Sequence, residues 1–297
     1  MSDGTPEEAA KRLPIWRGPV TPVPLVGGIT NFNVLVEDAG ERFVVRVGDD
    51  IPVQHIMRFN EVAASRAAFL ASVSPEVIHV EPGIIVMRYI EGRTCTDEDV
   101  RDPARLGRIL PLLKRVHREM PRHLRGPTLS FWVFQVIRDY AHTLAEGGSR
   151  YASRLPELVD TATALELAVG PVDLVFGHND LLPGNFIDDG KRLWLIDWDY
   201  AGFNSPLFDL ANLASNSEFD SGQETWMLRT YFGHTPDERL LASYRAMKCA
   251  SLLREAMWSM VAEIHSRLDY DYPAYTLDYM DRFARAQASF DLEKARG

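Results

Sequence analysis

The chain has little cysteine, no long apolar run and no excess of basic residues. Only Cys95 and Cys249 occur among its 297 residues, which provides neither a disulfide framework nor a cysteine metal cluster and fits a reducing cytoplasm. No apolar run approaches the roughly 20 residues of a membrane span, and residues 1–12 lack the apolar core of an export signal. We therefore expect a cytoplasmic protein without membrane insertion.

The charge balance restricts the class of partner. The sequence has 32 Lys and Arg against 42 Asp and Glu, a net charge of −10. Nucleic-acid binders usually carry a basic excess, so we expect no nucleic-acid partner. An acidic protein is compatible with a cationic substrate, but many soluble proteins are acidic for solubility alone. We give the greater weight to solubility.

The first ninety residues predict a small antiparallel sheet with one helix. After an irregular lead-in over residues 1–20, β-rich runs are separated by Gly-Gly and Asp-Ala-Gly turns, a pattern typical of hairpins. The strands are predicted at residues 23–26, 32–37, 42–47 and 83–90, and the helix at 53–71. We expect a five-stranded sheet in a lobe that spans residues 1–90.

From residue 91 to residue 297 the pattern is mainly helical. Helices are predicted at residues 103–119, 131–146, 156–169, 205–215, 235–265 and 273–294. Short apolar runs between turn residues predict small strands at residues 174–176, 185–187 and 193–196. The fold class is therefore α+β, with two lobes that meet near residue 91.

The most informative segment combines H-N-D-L-L-P-G-N at residues 178–185 with a second carboxylate, Asp197, after an apolar run. Phosphoryl transfer needs a base and two magnesium ligands. Asp180 is suited to accept the proton of a substrate hydroxyl, while Asn185 and Asp197 supply the oxygen ligands that magnesium favours. An isolated Asp is more often a turn or cap residue, but this spacing favours the site. His178 is expected to support the loop.

A glycine-containing loop precedes the second predicted strand. Gly27 and Gly28 allow backbone N–H groups to approach phosphate oxygens closely, and Thr30 and Asn31 add donors. The same residues are equally compatible with a plain hairpin turn. The Gly-Lys-Ser/Thr ending of a Walker A loop is absent.

A basic residue lies in the middle of the third predicted strand. Arg46 stands between apolar residues, where an unpaired charge is costly, so it should have an anionic partner. Glu61, early in the next helix, is the candidate. The pair is compatible with a purely structural role, but the glycine loop upstream favours Arg46 facing nucleotide phosphates.

Taken in order, these features resemble the choline/ethanolamine kinase group of the protein-kinase-like phosphotransferases, which shares its fold with the aminoglycoside phosphotransferases. The matching segments extend over most of the chain: G-G-I-T-N, H-N-D-L-L-P-G-N, I-D-W-D-Y, F-D-L-A-N, W-S-M-V and D-Y-P-A-Y. The resemblance implies a protein-kinase-like two-lobed fold with ATP and Mg²⁺ as cofactors. Residues 1–90 then form the nucleotide-binding lobe and residues 91–297 the catalytic and substrate lobe.

The resemblance also implies roles for individual residues. Asp180 matches the catalytic base, and Asn185 and Asp197 match the magnesium ligands. Met87, Tyr89 and Ile90 match the linker that holds adenine. Asp209 matches a buried Asp that braces the catalytic loop. Asp199 stands where relatives often have Glu, and Asn216 or Glu218 where they have an acidic residue. The roles of these three stay open.

Three aromatic residues align with those that line the choline pocket of relatives: Trp258, Tyr272 and Tyr275. Tyr200, which follows the segment with the metal-ligand Asp197, is a further candidate for substrate binding. A quaternary ammonium has no N–H to donate, so aromatic faces and nearby carboxylates recognise it. A Trp in an apolar helix is usually a core residue, and only the family segments favour the cation site.

The function predicted from the sequence is ATP-dependent phosphorylation of the hydroxyl of choline or ethanolamine, a small cationic amino alcohol. Within the same class, the alternatives are another amino alcohol, thiamine or an aminoglycoside. A nucleotide-binding pseudokinase scaffold is the alternative from a different class. The sequence contains no indication of the oligomeric state.

Overall fold

The computed structural model describes residues 5–25, 31–266 and 268–294. Its N-terminal part is an antiparallel sheet with strand order β1-β2-β3-β5-β4. The strands are β1 (Val23–Pro24), β2 (Phe32–Asp38), β3 (Glu41–Val47), β4 (Val77–Glu81) and β5 (Ile84–Arg88). The predicted five-stranded sheet is thus confirmed. Strand β4 was not identified individually, because its V-I-H-V-E sequence does not alternate cleanly and its pairing with β5 is irregular after Val77.

Helix α1 (Pro6–Lys11) covers one face of this sheet, where the sequence predicted an irregular lead-in. Thr5 and Glu8 form a reciprocal capping box that starts the helix. Ala9 and Ala10 pack in one apolar cluster with alternate residues of the strands, among them Val45. Because side chains alternate across a strand, Arg46 lies on the opposite face of β3 from Val45.

The remaining helices belong to a larger core. They are α2 (Arg58–Leu70), α3 (Asp97–Arg101), α4 (Pro103–His123), α5 (Val133–Glu146), α6 (Leu155–Val169), α7 (Pro206–Asn216), α8 (Ser221–Phe232), α9 (Glu238–His265) and α10 (Tyr272–Lys294). Helix α2 starts later than predicted, since a 3₁₀ turn (Pro52–Gln54) and His55 at φ 63° precede it. Helices α3 and α8 were not predicted, although Thr96 and Asp220 cap them.

Short strands carry the central motif of the sequence. They are β6 (Arg93–Thr94), β7 (Val175–Gly177), β8 (Phe186–Asp188), β9 (Leu193–Leu195) and β10 (Gly202–Asn204). Strand β8 lies between β6 and β9, while β7 pairs with β10. These pairings hold the segment before Asp180 beside the one after Asp199. Within the described ranges, no helix is both long and apolar enough to cross a membrane.

Candidate active site

A cavity of about 740 Å³ brings the predicted nucleotide, catalytic and substrate residues together. Its walls include the linker residues Met87, Tyr89 and Ile90 and the motif residues Asp180, Asn185, Asp197 and Asp199. A further part of the wall is formed by α9, α10 and the segment between them, together with the end of α7 and the turn after it. This part is here called the acceptor wall. The acceptor wall consists of Asn216, Glu218, Arg254, Glu255, Trp258, Tyr270, Tyr275, Asp278, Tyr279 and Arg282. The cavity therefore joins three predicted functions in one space.

Asp209 fixes the loop that carries Asp180. Its two carboxylate oxygens accept the backbone N–H groups of His178 at 2.9 Å and Asn179 at 2.7 Å. A third donor is Nε2 of His117, at 2.8 Å, a residue on α4 that the sequence did not single out. Asn179 adopts φ 65°, a left-handed conformation that Asn tolerates better than most residues. The buried carboxylate thus holds the loop in this strained turn.

Replacing Asp209 with Ala is expected to lower the free energy of unfolding by about 3 kcal/mol or more, since each buried donor left without a partner costs about 1–3 kcal/mol. Urea unfolding followed by circular dichroism measures this change. Asp281→Ala, which removes an exposed Asp of α10, is the matched control and should have little effect. A loss below about 1 kcal/mol would contradict the bracing role, given that cost per donor.

His178 supports the same loop from beneath. Its Nε2 donates to the carbonyl of Ile196 at 2.9 Å, and its Nδ1 accepts the backbone N–H of Asp180 at 3.3 Å. These two bonds define a neutral ring, and burial lowers the pKa of His178. The ring also packs against Trp198, with centroids 4.7 Å apart. This geometry is that of a supporting residue, as the sequence predicted, and not of a metal ligand.

Asp180 and Asn185 are joined through the loop itself. The Asn185 side-chain N–H₂ donates to the Asp180 carbonyl at 2.9 Å, which leaves the Asn185 side-chain oxygen as an available acceptor. Burial raises the pKa of Asp180, and the neighbouring charge of Glu255 raises it further, while Arg254 opposes the shift. A carboxylate with a raised pKa is a stronger proton acceptor.

Arg46 pairs with the predicted carboxylate and with two other carboxylates. Its Nη1 donates to Glu61 and Asp197, both at 2.8 Å, and to Asp199 at 3.2 Å. Glu61 is almost fully buried and lies behind Arg46, outside the residues that line the cavity. The guanidinium lines the cavity, where it holds the two motif carboxylates together.

Asp199, whose role the sequence left open, accepts hydrogen bonds from three side chains of the ion cluster around Arg46. It accepts from Arg58 at 2.9 Å and from the Asn31 amide at 2.7 Å, in addition to Arg46. Asn31, predicted as a phosphate-loop donor, therefore contacts the catalytic cluster through Asp199. Arg58 was missed, because only its distance from Asp199 in space identifies it. Gly27, Gly28 and Thr30 lie outside the described residues.

Asn185 and Asp197 fit the requirements of a magnesium ion. Magnesium is held by one or two protein oxygens together with phosphate oxygens and water, and these side chains offer one amide oxygen and one carboxylate on the cavity wall. Although burial opposes ionisation, Arg46 holds the pKa of Asp197 below its usual value, so the carboxylate stays charged. Asp197 adopts φ 72°, a conformation that is costly for a non-glycine residue and common at functional sites.

The structure corrects the aromatic site in one place, at Tyr272. Tyr272 is buried and does not line the cavity. Instead its ring packs against Trp258 with centroids 6.0 Å apart, and its hydroxyl bonds Ser266. Tyr200 does reach the cavity, but the guanidinium carbon of Arg254 lies 4.5 Å from its ring centroid. An internal cation therefore already packs against one face of the Tyr200 ring.

Trp258 and Tyr275 remain on the acceptor wall. The Trp258 indole N–H donates to the Tyr200 hydroxyl at 2.8 Å, and its ring meets Tyr275 edge to face at 5.9 Å. Tyr279 stacks on Tyr275 at 4.6 Å. The sequence analysis did not identify Arg254 or Glu255. The spacing of three residues nevertheless places Glu255 and Trp258 on one face of α9.

Comparisons with known proteins identify the family and the fold. The profile of the phosphotransferase enzyme family matches residues 21–263. The choline/ethanolamine kinase family protein from Mesorhizobium loti has a TM-score of 0.75 and 28% identity, over 96% of this chain and 94% of that one. Choline kinase LicA from Streptococcus pneumoniae has a TM-score of 0.76 and 26% identity, over 91% and 94%. LicA in complex with AMP gives 0.75 and 25%, over 96% and 97%.

These structural matches confirm the protein-kinase-like fold predicted from the sequence. The family profile extends from the first strand to α9 and so includes the glycine loop, the H-x-D-x-x-x-x-N motif and half of the residues on the acceptor wall. This chain belongs to the phosphotransferase enzyme family.

Proposed function

We propose that this chain transfers the γ-phosphate of ATP to the hydroxyl of a small cationic amino alcohol, choline or ethanolamine. The observation that carries the proposal is the cavity that joins Asp180, Asn185 and Asp197 to an aromatic and acidic acceptor wall. The similar structures are named for choline and ethanolamine kinases, which supports the same acceptor class.

In this proposal the nucleotide lies between the linker and the catalytic cluster. Met87, Tyr89 and Ile90 would contact the adenine, and LicA, a similar protein, binds AMP. Magnesium, when held by Asn185 and Asp197, would neutralise negative charge on the phosphates. Arg46 keeps Asp197 ionised and in position for that ligand role.

Asp180 performs the proton chemistry in this proposal. Its carboxylate would orient the substrate hydroxyl and accept the proton as the oxygen attacks the γ-phosphorus. His178 and Asp209 hold the backbone of the loop, so that the carboxylate needs little reorganisation during the reaction. Positioning of this kind contributes much of the rate enhancement in phosphoryl transfer.

The acceptor wall favours a small monocation over the alternatives. An aminoglycoside is a polycation and would need a more open, acid-lined pocket, whereas on this wall two of the carboxylates, Glu255 and Asp278, already pair with Arg254 and Arg282. The pseudokinase alternative is opposed by the presence of Asp180, Asn185 and Asp197 together on one cavity. The test is magnesium-dependent ADP release with choline, ethanolamine, thiamine and kanamycin. We expect stimulation by choline or ethanolamine, and stimulation by none of the four would refute the proposal.

Replacing Trp258 with Ala is expected to raise the KM for the amino alcohol by about tenfold or more, because a desolvated cation–π contact is worth about 2 kcal/mol. The KM for ATP should change little, since Trp258 lies on the acceptor wall. Steady-state kinetics with each substrate varied in turn measures both values. Trp226→Ala on α8, where the ring is 39% exposed, is the control. Equal increases in both KM values would indicate a core role for Trp258.

A further inference from the structure

Glu255 is a buried carboxylate on the acceptor wall that the predicted reaction does not use. It is 4% exposed and lies one helical turn before Trp258 on α9. Its Oε1 accepts the Tyr275 hydroxyl at 2.9 Å, and its Oε2 accepts Nη1 of Arg254. Both neighbours fix the orientation of the carboxylate at the cavity surface.

Two aromatic rings pack against Arg254, the ion-pair partner of Glu255. Its guanidinium carbon lies 4.5 Å from the centroid of Tyr200 and 5.3 Å from that of Phe131. The guanidinium thus packs against both rings while its Nη1 donates to Glu255. A carboxylate accepts about four hydrogen bonds, so the two bonds to Tyr275 and Arg254 leave it able to accept others.

The acceptor wall as a whole retains negative charge. Its three carboxylates, Glu218, Glu255 and Asp278, face the two guanidinium groups of Arg254 and Arg282. Arg282 already pairs with Asp278 at 3.4 Å and donates to the carbonyl of Ser215. Glu255 is the one of the three that bonds the Tyr275 hydroxyl and lies one helical turn from Trp258.

From this arrangement we infer that Glu255 is the counter-ion for the cationic nitrogen of the acceptor alcohol. Asp180 would hold the hydroxyl end of a two-carbon amino alcohol and Glu255 the nitrogen end, with Trp258 and Tyr275 against its carbon atoms. The inference rests on the proposed function and adds a residue that determines which alcohols the site accepts. Selectivity for a cation over a neutral alcohol of the same shape then depends on Glu255.

The experiment compares charged and neutral alcohols of the same shape. Choline is paired with 3,3-dimethylbutan-1-ol and ethanolamine with propan-1-ol, and kcat/KM is measured for each alcohol. In wild type the charged member should be preferred. Glu255→Gln should reduce that preference by about tenfold to a hundredfold, the value of a hydrogen bond or ion contact to a charged group. The kcat/KM for the neutral member should fall much less than that for the charged member.

Glu263→Gln on the same helix is the matched control. Glu263 pairs with Arg150 and accepts from Thr276 outside the cavity, so its replacement should leave the charge preference unchanged. If Glu255→Gln lowers kcat/KM equally for charged and neutral alcohols, Glu255 has only a structural role and the inference is wrong. An unchanged preference in Glu255→Gln would also overturn it.

A double variant and a binding measurement also test the role of Glu255. Removing one partner of a buried ion pair is strongly destabilising, so a double variant, Arg254→Met with Glu255→Gln, removes both charges and should lose the charge preference in the same way. If wild type phosphorylates no alcohol, the proposed function is refuted separately. The Kd for choline and ethanolamine is then measured by calorimetry in wild type and in Glu255→Gln. A Kd about tenfold higher in the variant supports the inference, and an equal Kd overturns it.

Discussion

Asp180→Asn is expected to lower kcat by about a thousandfold, with little change in the KM for ATP. A positioned general base contributes about 10²- to 10⁴-fold to rate, and the amide keeps the size of the side chain but cannot accept the hydroxyl proton. The loop should remain folded, because its bonds to Asp209 and His178 involve backbone atoms and not the Asp180 side chain. Initial rates at saturating acceptor and ATP measure the effect.

Asp173→Asn is the control for this variant. Asp173 is an exposed Asp shortly before β7 on the same segment of chain, and its replacement should leave kcat near the wild-type value. A kcat for Asp180→Asn within about tenfold of wild type, below the lower range for a general base, would mean that another group accepts the proton.

Asp197→Asn is expected to lower kcat by about a hundredfold or more, the usual effect of removing a group that stabilises transition-state charge. It should also weaken divalent-metal binding, because the amide lacks the charge that magnesium favours. Titration of Mn²⁺ by electron paramagnetic resonance, in the presence of a non-hydrolysable ATP analogue, measures the binding directly. Higher magnesium concentrations should restore part of the activity.

Asp199→Asn separates the metal role from the ion cluster. Asp199 shares Arg46 with Asp197 but is not predicted as a metal ligand, so its replacement should change Mn²⁺ binding less. If Asp197→Asn has the same magnesium dependence as wild type, Asp197 is a partner for Arg46 and not a metal ligand.

The sequence predicted those parts of the fold that strong local patterns encode. The alternating runs of β2 and β3 and the long apolar pattern of α9 are examples. Helix α1 was missed because it has only six residues and is held by burial of Ala9 and Ala10 against the sheet. Strand β4 was missed because it has only five residues, and the adjacent Val77 and Ile78 leave a short alternating run. Tertiary packing, which a single sequence does not display, decides such short elements.

In the candidate site, too, the residues that lie close together in the sequence were predicted and those that only the fold brings together were missed. Asp180 and Asn185 are five residues apart in one loop, so their spacing in the sequence already reflects their geometry. Arg58 and Glu255 were missed, because their partners in space lie on other segments of the chain. The contact between Arg58 and Asp199, for example, joins residues 141 positions apart.

Resemblance to a family placed the aromatic residues less accurately than the motif residues. It assigned Tyr272 and Tyr275 to the substrate pocket, but only Tyr275 lines the cavity. The two are three residues apart at the start of α10, where a small change in helix rotation decides which ring reaches the cavity. The family identification itself is confirmed by the profile match over residues 21–263.

The most direct test of the proposed activity follows the phosphorus atom. Wild-type protein, ATP, Mg²⁺ and choline or ethanolamine are incubated together, and ³¹P nuclear magnetic resonance records the products. We predict loss of the γ-phosphate signal with equal growth of a phosphomonoester of the amino alcohol, and no such product with Asp180→Asn. Intact ATP, or its conversion to ADP and inorganic phosphate alone, would contradict transfer to an amino alcohol.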